Sequence, residues 1–91
     1  MKDKYEEKIL VTGCAWFIGM HLSSALLKRN YHVIGVDNLN DYYDVKLKKD
    51  RLKILKNNNN FKFIKLDISN KNDLEGIFKH NNIDKVVNLA A

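Results

Sequence analysis

Ninety-one residues, 45% apolar and 30% charged, describe one ordinary globular unit rather than a disordered or fibrous chain. No apolar run approaches about eighteen residues, so neither a membrane span nor a secretory leader is expected. The single cysteine, Cys14, has no partner for an intramolecular disulfide. That points to a reducing, cytoplasmic setting, and one cysteine with three scattered histidines gives no metal-ligand spacing.

In chain order, residues 8–12 are a short, nearly continuous apolar run, as in a strand buried on both faces. Residues 13–19 form a turn carrying Gly13 and Gly19. Ile18, Leu22, Ala25 and Leu26 then follow helical spacing as the expected core face, with Ser23, Lys28 and Arg29 expected to point away. Asn30 is placed to end that helix in the left-handed conformation. Residues 33–36 read as the second strand, closed by Asp37. Residues 44–56 read as a second helix, 61–66 as a third strand at an edge, and Leu74, Ile77 and Phe78 mark a third helix. Residues 85–89 give a fourth strand, and 86–89, like 9–11, read as buried on both faces. Strands alternating with helices across short links predict a parallel α/β sheet with right-handed crossovers. The first two helices then lie on one face and the third on the other.

The charge of +5 is concentrated on the second helix, in Lys46, Lys48, Lys49, Arg51, Lys53 and Lys56. These alternate with Val45, Leu47, Leu52 and Leu55 at roughly helical spacing, and no stacking aromatics are interleaved with them. They are therefore read as the solvated face of an amphipathic helix, and no nucleic-acid partner is expected.

Chemistry is expected at the turn after the first strand. Glycines there let the backbone approach a phosphate, and the helix that follows presents unpaired N–H groups and a positive dipole end. Asp37 closes the second strand, where an acid accepts hydrogen bonds from a ribose diol and repels a 2′-phosphate. NAD is thereby favoured over NADP.

The segment Thr12-Gly13-Cys14-Ala15-Trp16-Phe17-Ile18-Gly19 resembles the Thr-Gly-x-x-Gly-x-x-Gly turn of extended short-chain dehydrogenases, in their nucleotide-sugar epimerase and dehydratase branch. Asp37-Asn38-Leu39-Asn40-Asp41-Tyr42-Tyr43-Asp44 resembles the segment after the second strand in UDP-glucuronate 4-epimerases. The resemblance covers residues 8–91 and implies a Rossmann-type sheet of strand order 3-2-1-4. It further implies NAD as cofactor and a UDP-sugar as substrate of the whole enzyme, oxidised at C4 by hydride transfer and reduced again on the other face. Gly13, Trp16, Phe17, Ile18 and Gly19 would then form the pyrophosphate turn, with Asp37 and Asn38 at the adenosine ribose. Asp67 and Ile68 match the pair that holds adenine in this family, and Leu89, Ala90 and Ala91 match the end of the fourth strand beside the cofactor.

Two departures bear on function. Trp16 stands where the family has its second glycine, so the indole must occupy the phosphate site or swing away by moving the turn, and either outcome is expected to weaken NAD binding by this chain. The family's catalytic Tyr-x-x-x-Lys lies beyond a fifth strand. The spacing Tyr42-Tyr43-Asp44-Val45-Lys46 falls in the wrong half of the fold and is read as coincidence. Residues 1–91 are thus expected to be the N-terminal part of an NAD-binding domain, without the catalytic half or the sugar-binding domain. No catalytic residue is assigned, and self-association into a homo-oligomer is expected from an incompletely covered sheet. A non-catalytic module binding at best a mononucleotide, and a self-assembling interaction domain, are the competing readings. Tyr42 and Tyr43 are open between contacting a substrate and covering the basic helix. Cys14 lies near a helix start, which lowers a thiol pKa, but it carries no assigned role.

Overall fold

The computed structural model describes residues 7–39 and 45–90. Within these, the order is β1 (Lys8–Thr12), α1 (Phe17–Lys28), β2 (His32–Asp37), α2 (Val45–Lys56), β3 (Phe61–Lys65), α3 (Lys71–His80) and β4 (Lys85–Asn88). All strand pairs are parallel, in the order β3-β2-β1-β4, with Leu10 beside both Ile34 and Val86 in the register. This is the Rossmann-type arrangement expected from the alternation of elements. The turn at residues 13–16 and the ends of β2, β3 and β4 therefore meet at one end of the sheet.

Strand alternation sorts the core into two layers. Ile9, Val11, Val33 and Phe61 pack with Leu27 of α1 and with Leu52 and Leu55 of α2. Leu10, Ile34 and Val36 pack with Leu66 and with Ile77 of α3. The two helices on one face and the single helix on the other are as the crossovers require.

α1 ends as its sequence predicts. Asn30 adopts φ 69°, its N–H donates to the Leu27 carbonyl and the Tyr31 N–H donates to the Leu26 carbonyl, which satisfies the last carbonyls of the helix. Its buried face is a correction. Gly19, Ser23 and Leu27 are buried, whereas Ile18 is 67% exposed and Ala25 is also exposed. The helix is rotated by one position from the apolar pattern because its first turn lies directly over the preceding loop. Only small residues fit there.

β4 is also a correction: it is not buried on both faces. Three of its four residues are exposed, Val86 among them, as is the following Leu89, because β4 forms one edge of the described sheet and α3 reaches only partly over it. Its start is tied to β1 through Lys8 N–H donating to Asp84 Oδ2 at 2.9 Å and through Lys85 pairing with Glu7 at 3.1 Å. Among the described residues, no helix is long and apolar enough to cross a membrane.

Candidate nucleotide site

The turn is held from three sides. Gly13 N–H and Cys14 N–H both donate to the Val36 carbonyl, and Trp16 N–H closes the turn on the Gly13 carbonyl at 3.1 Å. Gly13 has φ +73°, and a Cβ there would lie 3.1 Å from the Ala90 nitrogen of the β4 end. Gly19 is demanded by proximity instead. A Cβ on it would sit 2.1 Å from the Gly13 carbonyl oxygen, so α1 starts in contact with the loop that feeds it. Trp16 is the N-cap residue of α1, in extended conformation and without a side-chain cap. The first N–H groups of α1 therefore carry no side-chain acceptor from the cap.

Asp37, at the end of β2, is buried and ties the turn to its own strand. Its Oδ2 accepts from Ala15 N–H at 3.2 Å and its Oδ1 from Leu39 N–H at 2.8 Å, where Leu39 takes the left-handed φ of 53°. Lys48 Nζ lies 3.5 Å from the same Oδ1. Both carboxylate oxygens thus already serve the chain, leaving part of the carboxylate's acceptor capacity for a ligand.

The basic helix is not uniformly wet, contrary to expectation. Lys48 is 0% exposed and Arg51 is buried. Arg51 donates to the Ala15 carbonyl at 3.1 Å, and Lys48 Nζ stands 4.2 Å from the centre of the Trp16 ring. Beyond Asp37 and that ring, the Lys48 ammonium has no hydrogen-bond partner among the described residues. Lys48 and Arg51 thus support the turn from below, a placement that the reading of the sequence does not give. Their charges looked solvated because the groups that receive them lie on earlier elements.

One cleft gathers much of the expected site: Gly13, Trp16, Asp37, Asn38, Asp67, Ile68 and Ala90, with Val36 and Leu66 as apolar walls the sequence reading did not single out. Phe17 and Ile18 point to solvent instead, at 60% and 67% exposure, Gly19 is buried beneath the turn, and Leu89 is exposed. Ala91 and the stretch 40–44, with Tyr42 and Tyr43, lie outside the described residues, and with them the tyrosine of the Tyr42/Lys46 spacing. Asp67 is exposed and accepts from the N–H and hydroxyl of Ser69, which hold its carboxyl below the usual carboxylate range. Ala90 is positioned by Thr12, whose hydroxyl oxygen accepts from Leu89 N–H and Ala90 N–H and bonds the Asn88 side chain.

Cys14 is no reactive thiol. It is fully buried in the α1/α2 layer, and burial, then the nearby Asp37 charge, pushes it up to about 12. Desolvation outweighs the helix-start effect weighed from sequence. Among the described residues no group of His, Cys, Asp and Glu stands ready to hold a metal ion.

A parallel 3-2-1-4 sheet, a glycine turn opening a helix and an acid ending the neighbouring strand define a dinucleotide-binding fold of the extended short-chain dehydrogenase class. The family model described as GDP-mannose 4,6 dehydratase matches residues 10–91, and the chain belongs to that family. Protein CapI of Staphylococcus aureus is 51% identical over 84 residues, 92% of this chain and 25% of that protein. A UDP-glucuronate 4-epimerase of Thermodesulfobacterium geofontis is 52% identical over 82 residues, 90% of this chain and 25% of its own length. Among solved structures, the UDP-glucuronic acid 4-epimerase from Bacillus cereus in complex with UDP-glucuronic acid and NAD superposes with a TM-score of 0.81 at 46% identity. That match covers 92% of this chain and 26% of the solved one. The chain therefore spans about a quarter of the length of these relatives.

Proposed function

We propose that this chain is the N-terminal, NAD-binding part of a nucleotide-sugar epimerase of the UDP-glucuronate 4-epimerase type, working in the cytoplasm. The observation that carries the reading is the cleft itself. Gly13, Asp37, Asn38, Asp67, Ile68 and Ala90 come from the ends of four different strands and converge at the carboxyl edge of a parallel sheet. That is where open α/β folds take their ligands.

In this reading the turn at Gly13 and the start of α1 receive the pyrophosphate, and Asp37 and Asn38 face the adenosine ribose. Asp67 and Ile68 flank adenine, and the end of β4 runs beside the cofactor. NAD supplies reversible hydride acceptance at the sugar C4 in the whole enzyme. The residues of this chain bind and orient it and perform no proton transfer of their own. Residues 1–91 alone should accordingly show no epimerisation of UDP-glucuronate. A downstream Tyr-x-x-x-Lys in the full coding sequence, with turnover by the full protein, is the corresponding positive result.

The site assignment is tested by following backbone amide resonances while adenosine is titrated to millimolar concentration. Shifts that saturate and centre on Gly13, Asn38, Ile68 and Ala90 support the reading. Shifts elsewhere, or none, overturn it. Self-association belongs to the same proposal. Val86, Leu89 and Phe78 are exposed beside an unpaired strand edge, and light scattering at low micromolar concentration should report more than a monomer.

A further inference from the structure

Three observations converge on Trp16. Trp16 is one of the residues that line the cleft, together with Asp37, Asn38 and Asp67. Its backbone caps α1, the helix that opens from the glycine turn. Beneath the indole lies Lys48, wholly buried, paired with Asp37 and carrying no hydrogen bond.

A buried ammonium without hydrogen bonds is costly. Here the Asp37 carboxylate at 3.5 Å and the indole face, 4.2 Å from Nζ, share the stabilisation of that charge. The aromatic ring thus occupies a face of the Lys48 ammonium that a phosphate at the start of α1 would otherwise draw on. The ribose and base walls at Asn38 and Ile68 are separate from that contact.

We propose that Trp16 sets the ligand preference of this cleft, admitting a purine nucleoside unhindered while weakening its hold on the diphosphate arm of a dinucleotide. The inference rests on the nucleotide-site reading above and adds to it which part of the ligand the site accepts. To bind a diphosphate, the indole must leave Lys48, giving up the cation–π contact and the partial burial of the ring. To bind adenosine, it need not move.

Calorimetric titration of adenosine, ADP and NAD onto the chain and onto Trp16→Gly, Trp16→Ala and Trp16→Phe tests this, with circular dichroism confirming that each variant is folded. The Gly and Ala variants should tighten NAD and ADP by about tenfold or more, the scale of regained charge-assisted contacts, and leave adenosine within about twofold. Trp16→Phe should stay close to the parent. The proposal is overturned if NAD affinity is unchanged in both small variants. It is equally overturned if adenosine gains as much as NAD, since the indole then closes the whole cleft, or if adenosine weakens, since the ring is then a stacking platform. Failure of all three ligands to bind any variant removes the nucleotide-site reading itself. Unchanged NAD binding alongside normal adenosine binding removes only the role of Trp16. Because Trp16 is the sole tryptophan, its emission gives a second readout, expected to shift with ADP and not with adenosine.

Discussion

The two faces of the sheet are made by the same strands and finished in different ways. On one, α1 and α2 bury Ile9, Val11 and Val33 under Leu27, Leu52 and Leu55, and the layer continues without a break into the turn through Cys14 and Ala15. On the other, α3 contributes one buried residue, Ile77, and an apolar groove runs between Leu10, Phe78 and Val86. The glycine turn belongs to the closed face. The geometry of the candidate site is thus held by the face that two helices cover, and on the opposite side an apolar groove stays open beside β4.

The contrast can be broken most severely at Gly19. Gly19→Ala puts a methyl 2.1 Å from the Gly13 carbonyl, and α1 must lift off the turn, at a cost of about 4 kcal/mol measured by urea denaturation. Next comes Leu55→Ala, which opens a cavity in the closed layer and should cost about 3 kcal/mol in the same assay. Lys48→Met leaves the Asp37 carboxylate buried with only the Ala15 and Leu39 amides, and should cost about 2 kcal/mol. A gain in stability there would show that the turn needs no charge beneath it.

pH probes the closed face from within. In the unfolded chain the Cys14 thiol ionises near its ordinary 9.0, and in the native chain only near about 12. The native state therefore holds its thiol-linked stability fully below pH 9 and loses it as pH rises from there toward 12, by up to about 1.4 kcal/mol per unit. Cys14→Ala should lack that share of the alkaline loss. The smallest effect is expected on the open face: Val86→Ser should change monomer stability by less than about 0.5 kcal/mol while reducing light scattering by any assembled form.

The same contrast explains what could be read in advance. The alternation of strands and helices, the helix-per-face count and the left-handed Asn30 follow from the spacing of apolar runs and from local backbone preference. Those are properties of neighbouring residues, whereas the strand order came with the resemblance. Ser23 and Gly19 on the buried face of α1 were hidden because small residues leave no apolar periodicity, and the helix is seated by contact with a loop rather than by hydrophobic area. Lys48 and Arg51 were hidden for a related reason. Their burial depends on Asp37 and on the Ala15 carbonyl, and a charge with a distant partner is indistinguishable in sequence from a solvated one. At the site, the spacing of Gly13, Gly19 and Asp37 marked the turn, and the resemblance added Asp67, Ile68 and Ala90. Neither conveyed that the indole of Trp16 rests on an ammonium.

The hydroxyl of Thr12 joins the end of β1 to Asn88, Leu89 and Ala90, across more than seventy residues of chain. β1 is thus an interior strand whose second neighbour follows β2 and β3 in the chain. As the polypeptide leaves the ribosome, β1, β2 and β3 can assemble while one whole flank of β1 still presents bare N–H and C=O groups. That flank is closed only when residues 85–90 emerge. Until then the future centre of the sheet is its most adhesive edge, and the nascent chain is most exposed to mispairing there.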